Sequence, residues 1–142
     1  MIDIYKTNVS ICLLDTGLNY NHPLIELAIK DENSIQNVDS LLPPSDKKEH
    51  GTKMAGIALY DDLNKCLVSD EPVYVKHSIE SVKILPDEGK NDKKSYGLIT
   101  QRAIALAELK NPEKERIICM AVIAKKGNTL DGSPTSWSAA LD

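Results

Sequence analysis

An acid and an imidazole stand out in this 142-residue chain, each inside a short motif. Asp15 sits in Leu13-Leu14-Asp15-Thr16-Gly17 at the end of an apolar run, and His50 sits in His50-Gly51-Thr52 at the opening of a helix-like segment. A carboxylate delivered by a buried strand and an imidazole delivered at a helix start are two-thirds of a Ser-His-Asp charge system. In that system the acid fixes the imidazole tautomer, and the imidazole moves the proton of a hydroxyl nucleophile. Each motif alone has a plainer reading. Asp-Thr-Gly after a strand is also an Asx-type turn, and a histidine capping a helix is common. Asp-Thr-Gly further suits a retroviral-type aspartic protease homodimer, in which two such aspartates share a proton. That reading requires an all-β chain.

The elements that would carry these groups alternate in type. Residues 9–14 are apolar at nearly every position, as a strand covered on both faces should be. A turn over 19–23 leads to a short helix at 24–29, then a short strand at 34–38 before the Pro43-Pro44 loop. Over 51–63, Met54, Ala55, Ile57, Ala58 and Leu59 form one helical stripe. Residues 80–85 read as a strand ended by Pro86, and 87–94 as a charged loop. Ile99, Ala103, Leu106 and Ala107 recur at helical spacing through 96–110, a helix that stops before Pro112. Residues 116–124 read as a further buried strand. Pro134, with Ser133 as N-cap, starts another helix. Strands alternating with helices predict an α/β domain, a mostly parallel sheet with helices on both faces.

Four landmarks in this order resemble the subtilisin-like (subtilase) serine peptidases, whose triad runs Asp, His, Ser along the chain. The stretch from Asp15 through Asn21-His22-Pro23 resembles Asp-Thr-Gly-Ile-Asp-x-x-His-Pro, and His50-Gly51-Thr52-Lys53-Met54-Ala55-Gly56 resembles His-Gly-Thr-His-Val-Ala-Gly. Ser81-Val82-Lys83-Ile84-Leu85 matches the family's Val-Lys-Val-Leu strand, and Ile118-Cys119-Met120-Ala121-Val122 stands where the family has Ile-Asn-Met-Ser-Leu. The resemblance implies that Asp15 is the buried carboxylate and His50 the general base and acid. It further implies that Ala121, Val122 and Ile123 line the strand edge that receives the substrate backbone. Val122 and Ile123 replace the usual Leu-Gly, which alters the adjoining pockets; Leu24 stands where an aspartate is frequent. His22 reads as a turn histidine.

No segment reads as the family's Gly-Thr-Ser nucleophile helix. Pro134-Thr135-Ser136-Trp137-Ser138-Ala139-Ala140 is a superficial likeness, and Asn128 falls one strand too early for the oxyanion-hole asparagine. The chain therefore reads as residues 1–142 of a partial, C-terminally truncated subtilisin-like catalytic domain, inactive alone, whose full-length parent cleaves polypeptides. A pseudoprotease or binding module that kept the scaffold is the non-enzymatic alternative.

Composition narrows the partners. With 42% hydrophobic residues and a formal charge of −4, the chain reads as a soluble globular domain. Its basic pairs, Lys47-Lys48 and Lys93-Lys94, sit beside acids, which argues against nucleic acid. No cofactor and no metal are expected, since no acidic cluster has ligand spacing. Three cysteines make no disulfide framework. Cys12 and Cys119 read as small buried hydrophobes in strands, and Cys66 as following a helix. No apolar run is long enough to span a membrane and no signal peptide leads, so a cytoplasmic location is expected. Apolar strands left without the neighbours of a complete sheet predict self-association.

Overall fold

The computed structural model describes residues 2–4, 7–29, 31–124 and 133–141. In chain order its elements are β1 (Ile2–Ile4), β2 (Val9–Asp15), β3 (Ile35–Asn37), α1 (His50–Tyr60), α2 (Leu63–Val68), β4 (Val73–Val75), β5 (Ser78–Lys83), α3 (Tyr96–Lys110) and β6 (Glu115–Cys119), with short 3-10 turns between. β2 is central because it is apolar on both sides of its pleat. It pairs in parallel with β5 on one edge and β6 on the other, and β3 extends the sheet beyond β5, giving the order β3-β5-β2-β6. β1 and β4 form a separate parallel ribbon.

Parallel pairing requires crossovers, and the helices supply them on opposite faces. On one face Leu13 and Ile79 pack with Ala55 and Leu59 of α1. On the other, Cys12, Leu14 and Val82 pack with Ala103 and Ala107 of α3. This is the α/β arrangement of parallel strands and flanking helices that the alternating pattern predicts. Beneath the second face lies a buried polar knot. Glu80 accepts from Ser10 Oγ at 2.5 Å and Asn111 Nδ2 at 2.8 Å. Arg116 Nη2 donates to Glu80 Oε1 at 3.1 Å, while its Nε lies 2.8 Å from Oε2 as an ion-pair contact off the hydrogen-bonding direction.

Several expected boundaries move. The helix expected over 51–63 ends at Tyr60, where Asp61 turns to φ 55°, and Asp62 then caps α2 by accepting from Asn64 N and Lys65 N. Cys66 thus lies within a helix rather than after one. The segments expected as helices at 24–29 and from Pro134 form only single 3-10 turns, Glu26–Ala28 and Ser138–Ala140. The latter is held by Thr135 Oγ1, which accepts from Ser138 N at 3.1 Å, so Ser133 is not its N-cap.

The strand expected over 116–124 stops at Cys119 and is not buried, with Ile117 61% and Ile118 38% exposed. Among the described residues it pairs with β2 alone and so stands at an edge of the sheet. Cys12 is buried as expected, while Cys119 is only half-buried. Among the described residues, no helix is long and apolar enough to cross a membrane.

Candidate active site

Asp15 ends the central strand, and its backbone carbonyl accepts from Ile84 N at 2.9 Å and Leu85 N at 3.3 Å. The carboxyl group is therefore fixed at the C-terminal edge of the sheet, where open α/β sheets bind their ligands. His50 opens α1. Its Nδ1 lies 2.7 Å from Asp15 Oδ1, and the same oxygen accepts from Thr16 N at 2.7 Å. The side chains differ sharply in exposure, 2% for Asp15 against 48% for His50. A buried carboxylate thus orients one ring nitrogen, and no other described residue bonds to the ring. With Nδ1 donating its proton to the carboxylate, the arrangement can present an unprotonated Nε2 to a hydroxyl group.

The two motif glycines make this approach possible. A Cβ on Gly51 would stand 2.2 Å from the Gly17 carbonyl oxygen and 3.3 Å from Asp15 Cβ. Gly17 has φ +107°, and a Cβ there would meet Pro44 O at 2.4 Å. Glu49, immediately before His50, takes the left-handed conformation at φ 61° without being glycine, a strained backbone of the kind that gathers at functional sites.

Sequence reasoning missed the residue that joins the two motifs. Asp46 is 4% exposed, and its carboxylate takes four donors. Thr16 Oγ1 donates to Oδ1 at 2.8 Å and Lys48 N at 3.1 Å, while Thr52 N and Thr52 Oγ1 donate to Oδ2 at 2.8 and 2.7 Å. Thr16 Oγ1 in turn accepts from Gly51 N at 2.9 Å. The threonine after the acid and the threonine after the histidine are thus tied to one carboxylate. Burial pushes the Asp46 carboxyl upward, but the Thr52, Thr16 and Lys48 hydrogen bonds outweigh that and hold it below the usual range. The available signal was one of two acids, with Glu49, in the loop just before His-Gly-Thr.

Lys83, the register partner of Asp15, is 2% exposed and anchors that loop. Its Nζ donates to Ser45 O and Asp87 Oδ1, both at 2.6 Å. Lys83, with Lys47 beyond it, holds the Asp87 carboxyl below its usual range.

The expected substrate-binding residues lie just after β6 rather than within it. Ala121 is exposed, Val122 is half-buried against the α3 face, and Ile123 is 86% exposed. His22 is a turn residue whose Nδ1 accepts from Leu24 N at 3.2 Å. Asn128 lies outside the described residues. No group of His, Cys, Asp and Glu that could hold a metal ion occurs among the described residues.

No curated protein and no solved structure matches the chain. The sequence profile of the subtilase family of peptidases (Peptidase S8) does match it, over residues 6–142. That span includes both motifs, the sheet and both flanking helices; the chain belongs to the subtilase family.

Proposed function

We propose that Asp15 and His50 are the acid and the general base of a serine endopeptidase, acting on a serine supplied from outside these 142 residues. The observation that carries this reading is the 2.7 Å contact between a buried carboxylate and a half-exposed imidazole at the C-terminal sheet edge. His50 would take the proton of the serine hydroxyl at Nε2 and return it to the leaving amine. Asp15 would hold the tautomer and stabilise the imidazolium. Ala121, Val122 and Ile123 would meet the polypeptide substrate. Membership of a serine peptidase family supports the reaction class, and residues 1–142 would form part of the catalytic domain. The parallel sheet and helix α3 leave no room for the all-β aspartic protease. Three free cysteines favour a reducing, cytoplasmic compartment.

Two assays test the reading. Incubated with unfolded casein and a fluorophosphonate label, the 142-residue chain should give no turnover and no adduct. Turnover with labelling at Ser133, Ser136 or Ser138 would overturn the assignment of the nucleophile. In any longer product of the same gene that hydrolyses casein, Asp15→Asn should lower kcat by about 10⁴ with little change in KM, the loss known for the acid of such triads. An unchanged kcat would leave a non-catalytic scaffold as the better account.

A further inference from the structure

The last residues of three adjacent strands form one polar row across the sheet. Asn37 of β3 is the register partner of Lys83 of β5, and Lys83 is the register partner of Asp15 of β2. Alternate residues of a strand share a face. Ile35, Ile79 and Leu13, at even spacing before these three, belong to the cluster that holds Ala55 and Leu59, so the row lies on the face that α1 covers. Each member grips the chain between β3 and α1 at a later point. Asn37 Nδ2 donates to Leu42 O at 3.3 Å and Pro43 O at 3.2 Å, Lys83 Nζ donates to Ser45 O at 2.6 Å, and Asp15 Oδ1 meets His50 Nδ1 at 2.7 Å. The order of the strands in space is the order in which the loop reaches the histidine.

Lys83 is the unusual member. An ammonium whose side chain is 2% exposed needs pairing. It finds this in Ser45 O and in Asp87 Oδ1, at 2.6 Å, while Lys47 holds the other Asp87 oxygen at 3.4 Å. A methionine would fill the same volume without burying a charge, so stability alone does not call for a lysine here. What the lysine adds is a fixed place for the Ser45 carbonyl, directly before the Asp46 carboxylate that ties Thr16 to Thr52. The run then passes through Glu49 at φ 61°, a conformation that persists only where the surroundings hold it.

We propose that Lys83 is a positioning residue for His50: through Ser45 O it fixes the loop that enters α1 and so keeps the imidazole on Asp15. The proposal deepens the peptidase reading above and rests on it. Lys83 acts through the loop, not on the reacting atoms.

The Nδ1 proton of His50 reads that position directly. In nitrogen–proton spectra of the ¹⁵N-labelled chain, Lys83→Met should speed its exchange with water about tenfold or more, the factor expected when a hydrogen bond from a charged group no longer closes the loop. Circular dichroism and urea unfolding check that the variant is folded. Val82→Ala is the control: it lies on the same strand but packs on the opposite face with Ala103 and Ala107. It should lower stability and leave the exchange rate unchanged. Asp87→Ala leaves Lys83 with Ser45 O alone and should also speed exchange. The Asp87 side chain is 20% exposed, so this variant carries the test where Lys83→Met does not fold. An unchanged rate in the folded Lys83 variant, or in Asp87→Ala in its stead, would overturn the proposal and leave the Asp15–His50 assignment standing. Equal acceleration in Val82→Ala would do the same, since the effect would then be one of general stability. A His50 ring without an Nδ1 proton in the unaltered chain would overturn that assignment and the proposal with it.

Discussion

At the scale of residues, Asp46 does more for the site than its loop position suggests. Both its oxygens accept two donors, and an asparagine in its place would aim an N–H group at donors from Thr16 or Thr52. Asp46→Asn should therefore lower stability by about 1–3 kcal/mol at neutral pH, the cost of leaving buried donors unpaired. Its folded pKa lies below the ordinary 3.8. The stabilisation is thus fully present above that value and is lost as the pH falls through the folded one. Urea denaturation of both proteins between pH 7 and pH 3 should show the difference narrowing at the acid end; a constant difference would contradict it.

Gly51→Ala should cost about 1–3 kcal/mol by overpacking against the Gly17 carbonyl, and it should lengthen the contact between Asp15 and His50. The acid and the imidazole were legible from residue type and order. The carboxylate that joins their loops was not, because hydrogen bonds made by two threonines and a backbone amide leave no periodic trace in sequence.

At the scale of elements, legibility followed burial. The helix at 96–110 is found with the expected bounds, since its apolar spacing and Pro112 both bear on its limits. The strand at 9–14 gains only Asp15, because it is covered on both faces. β1 and β4, three residues each, went unseen.

The buried pair beside β2 gives a further test. Arg116 is 8% exposed at its side chain and Glu80 2%, so Arg116→Met strands a buried carboxylate with only Ser10 and Asn111 as donors. A loss of about 3–5 kcal/mol is expected from urea unfolding, and a loss below about 1 kcal/mol, the value of an exposed pair, would contradict it. Cys12 lies on the same face. Burial, and then the Glu80 charge, push its thiol up to about 12. Under native conditions iodoacetamide should reach Cys66 and Cys119 well before Cys12.

For the whole molecule, strand order was beyond the sequence. Chain order runs β2, β3, β5, β6, whereas β5 sits between β3 and β2 in space, and only long-range packing decides that. Among the described residues, the order leaves β6 at an edge with no strand beyond it, and Ile117 and Ile118 are exposed there. Such an edge pairs readily with another chain, and a second copy is the partner always present. Light scattering across a dilution series should show self-association that Ile117→Lys reduces. A monomer at every concentration would contradict this.

The central claim is that Asp15 holds His50 in one tautomer, and the ¹⁵N-labelled imidazole reports it. Nitrogen–proton correlation spectra of the 142-residue chain should show His50 protonated at Nδ1, unprotonated at Nε2, with a downfield Nδ1 proton that vanishes in Asp15→Ala. A His50 ring protonated at Nε2 in the neutral form, or a spectrum that Asp15→Ala leaves unchanged, would contradict the account.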